Sequence, residues 1–168
     1  MTTRCKWGNL ILDMMGCERR PVYIDRMELI REKVPAQQHT KYISRDELKN
    51  ILYSTEGIDK NKVHLERGDS LYQLVDTESF DKFLEYDRTD KKKYSKRFDC
   101  NSFSTVLLGR ITEWDSTLAT GEIFGHTPGG PHAFNVAITT AMEVEYIEPQ
   151  TDKRFKPNKN WMPWFAKF

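Results

Sequence analysis

The chain has 168 residues, with 26 Lys and Arg against 25 Asp and Glu, a formal net charge of +1 at pH 7. That is the size of one domain, or one domain with an extension, and the charge balance argues against a dedicated nucleic-acid binder, which normally carries a basic excess. Hydrophobic residues make up 38% and charged residues 30%, enough for a core and a soluble surface, and no apolar run approaches the roughly 20 residues that cross a bilayer. Neither nucleic acid nor a membrane is therefore expected as a partner.

At the N-terminus the only apolar stretch is Leu10 to Leu12 with Met14 and Met15, interrupted by Asp13. No small-residue cleavage site follows it, so no signal peptide is read and a cytoplasmic location, or release by another route, is expected. The three cysteines are Cys5, Cys17 and Cys100. An odd, low count does not describe a disulfide framework. No Cys-x-x-Cys pair or His cluster completes a zinc set, so no metal site is expected from the spacing.

Residues 22–24 read as a short strand, and residues 26–33 as a helix that stops before Pro35. Ser44 with Glu47 is a capping box that opens a helix with the stripe Leu48, Ile51, Leu52, ending near Gly57. Residues 71–75 form a plausible strand. Asp76 or Thr77 then caps a second helix that carries Phe80, Phe83 and Leu84 on one face. The basic run Lys91, Lys92, Lys93, Lys96 and Arg97 reads as a solvated loop.

Cys100, Phe103, Leu107, Ile111 and Trp114 follow helical spacing, with Asp99 as N-cap and Gly109 as an internal weak point. A short strand over residues 122–124 precedes a Gly/Pro loop over residues 125–131. Two further strands, HAFNVAIT and MEVEYIE, are joined by a turn. A helix followed by antiparallel strands predicts an α+β fold, with a helix N-terminus packed on an antiparallel sheet. The aromatic, proline-containing tail is expected to pack back on the domain.

A helix N-terminus favours the thiolate of Cys100, although a lone cysteine is as readily an inert small hydrophobe. Alternation places Met142, Val144, Tyr146 and Glu148 on one strand face, and His132, Phe134, Val136 and Ile138 on one face of its neighbour. A three-residue turn at Thr139, Thr140 and Ala141 would set Ile138 opposite Met142 and His132 opposite Glu148. Such a turn lacks the Gly or Asn that tight hairpins prefer. A carboxylate beside an imidazole fixes its tautomer, the orienting role in a nucleophile–base–orienter set. It serves equally as a structural pair. Gly129 and Gly130, just before His132, would let a substrate backbone approach.

The segments FDCNSF, GEIFG, HAFNVAI and IEPQTD resemble the papain-like protease domain of the fairy-ring mushroom agglutinin type and its phage and bacterial relatives. The resemblance spans about residues 72–155. It implies a cysteine peptidase or amidase with Cys100 as nucleophile, His132 as base, Glu148 as orienter, and Gln150 and Asn101 as accessory or oxyanion groups. Residues 61–168 would then be the hydrolase domain and residues 1–60 an extension packed on it. The substrate would be a peptide or protein, cell-wall peptide included. No cofactor is expected beyond the calcium that the resemblance brings, and Asn101 and Ser102 stand where that family has carboxylates, which weakens it. Phe134 replaces a usual Trp, and with no sugar-binding repeat read before the domain, the lectin function of that family is not expected here. The other reading is a catalytically silent papain-like module that binds a partner or serves in a particle.

Overall fold

The computed structural model describes residues 26–37, 41–156 and 160–168. Cys5, Cys17 and the strand expected over residues 22–24 lie outside the described residues.

Local signals set the helices. Helix α1 is Arg26–Lys33, and its core-facing Ile30 is fully buried. Strand β1, Tyr42–Ser44, runs directly into α2, Arg45–Ser54. There the Ser44 side chain accepts from the Glu47 amide while the Glu47 carboxylate accepts from the Ser44 amide, a closed capping box. After β2, His64–Glu66, and β3, Leu71–Gln73, Asp76 caps α3, Thr77–Tyr86. A 3-10 turn, Thr89–Lys91, leads to α4, Cys100–Trp114. Asp99 caps α4 by accepting from the Ser102 amide at 3.2 Å, and Gly109 does not interrupt it. The amphipathic stripe supplies enough buried area to carry the helix past that glycine.

The remaining strands are β4, Thr120–Thr127, β5, Gly130–Ile138, β6, Val144–Glu148, β7, Lys153–Phe155, and β8, Met162–Lys167. With β2 they form one sheet in the order β2-β8-β4-β5-β6-β7; β1 and β3 pair separately. All pairs in the large sheet are antiparallel except β2 with β8. Among the described residues, four helices and a mainly antiparallel sheet make the fold α+β. The tail is a strand inside the sheet, flanked by β4 and β2, rather than a segment laid over a finished domain.

Two readings of this region are corrected. The strand expected over residues 122–124 extends through β4, and the supposed loop 125–131 is mostly strand. Only Pro128 and Gly129 separate the two strands, with Thr127 Oγ1 accepting from the Gly129 amide and Gly130 at φ 116. Glycine takes that φ without strain. The β5–β6 register also differs: Ile138 pairs with Val144, Val136 with Tyr146 and Asn135 with Ile147. The turn spans residues 139–143, closed by Thr139 N donating to Glu143 O at 2.9 Å, with Met142 at φ 64. Thr-Thr-Ala could not supply a tight turn, so the chain uses a longer one. The slip is two residues, which preserves every face assignment.

Each face of the sheet has its own core. Ala137 and Ile147 join Val75, Phe80, Phe83, Leu107, Ile111 and Trp114 on the α1/α3/α4 side. Trp114 stacks on Phe83 at 4.7 Å and donates to Val34 O at 2.9 Å. On the other side Ile123, Phe134, Val136, Tyr146, Trp161 and Ala166 pack with Leu52, Ile58 and Val63.

Candidate functional site

The sheet's alternate faces fix where each chemically capable side chain stands. Cys100 is the first residue of α4 and is half-buried. Its thiol donates to Asn101 Oδ1 at 3.8 Å. Among the described residues no hydrogen bond joins it to His132. Further along α4, Ser104 Oγ lies 3.2 Å from Phe134 O and Ser104 O accepts from Asn135 Nδ2 at 3.0 Å. The helix therefore lies on the Asn135 face of β5. His132 belongs to the alternate set with Phe134 and Val136.

His132 and Glu148 do meet. His132 Nε2 lies 2.8 Å from Glu148 Oε2, with the two side chains 22% and 21% exposed. They are not opposite each other. Continued beyond Asn135–Ile147, the register would place Phe134 across from Glu148 and His132 across from Gln150, so the contact is a diagonal one, within reach of long side chains. Gln150 completes the cluster: its backbone N and its Nε2 each donate to Glu148 Oε1 at 3.2 Å. Both carboxylate oxygens of Glu148 are thus engaged, one by the imidazole and one by the amide.

An aromatic wall supports the imidazole. The His132 and Phe134 rings meet edge-on at 4.4 Å, and Phe134 meets Phe155 at 4.5 Å and Trp161 at 5.0 Å. Gly125 stands opposite His132 in β4, where an added Cβ would come within 2.6 Å of Met162 O and 2.7 Å of Pro163 Cα. Only glycine admits β8 that close.

The turn after β6 holds Gln150 in place. Thr151 N and Asp152 N both donate to Glu148 O, at 3.1 and 2.8 Å, and Asp152 adopts φ 56. Burial, with Asp90 and Asp87 nearby, pushes the Asp152 carboxyl up to about 7. Behind the wall, burial also raises the Tyr146 hydroxyl above the ordinary tyrosine range. Arg154 fixes the next strand, with Nη1 2.7 Å from Glu145 Oε2 and Nη2 2.7 Å from Asp81 Oδ1.

The structure thus unites His132, Glu148 and Gln150, pairs Cys100 with Asn101, and places Gly129 and Gly130 in a hairpin turn. The sequence reading missed Asp152, whose signal was its position in the tight turn after Gln150. It also missed Glu122, which accepts from Ser104 Oγ at 3.2 Å and Thr105 Oγ1 at 2.9 Å beneath α4. The sign of that network was Ser104, a hydroxyl on the apolar stripe of its helix. Among the described residues no group of three or more His, Cys, Asp or Glu is arranged to hold a metal ion, and no helix is long and apolar enough to cross a membrane.

No family model and no curated protein matches the chain. Solved structures do. A PSL1a–E64 complex matches at 20% identity with a TM-score of 0.69, over 76% of this chain and 51% of that one. A Polyporus squamosus lectin, bound to the human-type influenza-binding epitope Neu5Aca2-6Galb1-4GlcNAc, matches at 19% identity and 0.67, over 76% and 49%. The chain spans about half the length of these proteins and shares their fold over that part. The expected membership of a papain-like thiol-protease family and the thiol-hydrolase assignment are corrected by this finding: no family model supports that family, and a neighbour that shares the fold is a lectin.

Proposed function

We propose that the chain is a binding module with a papain-like layout, and that it holds its ligand rather than transforming it. One observation carries the reading. Glu148 organises His132 and Gln150 into a single hydrogen-bonded cluster, partly open to solvent, while the Cys100 thiol turns to Asn101. Such a cluster offers donors and acceptors locked in orientation by one another, the arrangement a polar ligand needs for specificity. Similarity to a lectin supports a glycan as the ligand class.

The test is a calorimetric titration with Neu5Aca2-6Galb1-4GlcNAc, wild type beside Glu148→Gln and Gln150→Ala. Saturable binding that either variant weakens supports the reading, and binding unchanged in both would remove the cluster from it. A second reading has its own observation. Residues 130–134 of β5 pair with β4, but pairing with β6 begins only at Asn135, which leaves a strand edge beside His132. An extended peptide adds to such an edge by backbone hydrogen bonds. Binding of a peptide library in place of the glycan, with the same dependence on Glu148, selects this ligand.

A further inference from the structure

We propose that the groove between α4 and the β4–β8 ladder is a second, separate binding site, one that takes an ammonium or guanidinium group carried on an apolar stem. The groove encloses ≈ 420 Å³ and is lined in part by Thr105, Leu108, Gly109, Leu118, Glu122 and Phe168. Glu122 is 7% exposed. Two hydroxyl donors, Ser104 Oγ and Thr105 Oγ1, converge on its Oε2. Its Oε1 takes no hydrogen bond among the described residues, and the residue lines the groove. A carboxylate that deeply placed is costly without a cation, and one of its two oxygens is left without a hydrogen bond among the described residues.

The surroundings select the sign of the ligand. Asp69 and Asp115 also line the groove, and Lys167 is the one basic side chain that does. Lys167 stands opposite Glu122 in the β4–β8 ladder but forms no ion pair with it among the described residues. Leu108, Leu118 and Phe168 supply apolar walls for a stem.

Gly109 is the independent observation. It lies inside α4, where glycine costs about 1 kcal/mol relative to alanine. Packing does not demand it, because an added Cβ would meet nothing within 4 Å. It lines the same groove as Glu122, and the space an added side chain would fill is open.

The test uses agmatine as the probe in calorimetry or ligand-observed NMR, on wild type, Glu122→Gln and Gly109→Leu. Glu122→Gln keeps an acceptor for both hydroxyls but removes the charge. Gly109→Leu fills the groove and raises helix propensity, so it folds even if the first variant does not. Expected are saturable binding to wild type, weakening with salt, and a loss on the order of tenfold or more in each variant. Glu148→Gln should leave agmatine binding intact, which separates this site from the cluster at His132. No saturable binding of agmatine by wild type, or binding unchanged in Gly109→Leu, overturns the proposal.

Discussion

His132 and Glu148 touch across a diagonal of the β5–β6 pair, 2.8 Å apart, at the point where the two strands part company. The contact depends on side-chain reach, not on direct opposition. It should therefore be coupled but replaceable. A double-mutant cycle with His132→Ala and Glu148→Ala should give a coupling of about 1 kcal/mol. Urea melts of the four proteins measure it, and additive effects would mean that the contact contributes nothing to the fold.

Glu143 and Glu145, on either side of the start of β6, divide by partner. Glu145→Gln should destabilise by about 1 kcal/mol, because Arg154 then loses one of its two carboxylates. Glu143 is exposed, so Glu143→Gln should stay within about 0.5 kcal/mol. Equal melting temperatures for the two variants would contradict the assigned Arg154 bridge. Alternation alone would have treated both glutamates as neutral surface; the Arg154 partner lies on a strand that no sequence pattern announced.

The contribution of Asp152 to stability should fall as pH rises from about 4 to about 7. The Asp152 carboxyl is held up to about 7 by burial and by Asp90 and Asp87, with Lys91 acting in the opposite direction. Between the unfolded and folded values the native state keeps a proton that the unfolded chain has lost, so its stabilisation is full at low pH and declines as pH climbs. Above the folded value the contribution is flat. Asp152→Asn should remove this slope in melts taken across the range; a slope unchanged in that variant assigns it elsewhere.

Leu107 is fully buried in the α1/α3/α4 core. Leu107→Ala should cost about 2–5 kcal/mol. Asp99→Ala should cost about 1 kcal/mol by uncapping α4. Chemical denaturation ranks the two, and a larger loss for the cap would mean that α4 is held by its end more than by its packing.

Much of this was legible from residues. Ser44 with Glu47, Asp76 and Asp99 announced three helix starts, and the stripes behind them announced the buried faces. Alternation placed His132 and Glu148 on the same side of the sheet, which is why they meet although the register is shifted by two. What was hidden is long-range. Nothing local indicates that β8 enters the sheet next to β4, that Gly125 is required by that approach, or that Thr-Thr-Ala gives way to a longer turn. Motif spacing likewise brought Cys100 and His132 into one chemical set, whereas the thiol's hydrogen bond goes to Asn101.

The most direct measurement incubates wild type and Cys100→Ala with Neu5Aca2-6Galb1-4GlcNAc and with a mixed-sequence peptide library, then examines bound and free fractions by mass spectrometry. A binding module should retain its ligand intact, to the same extent in both proteins. Cleavage by wild type that Cys100→Ala lacks would contradict the account.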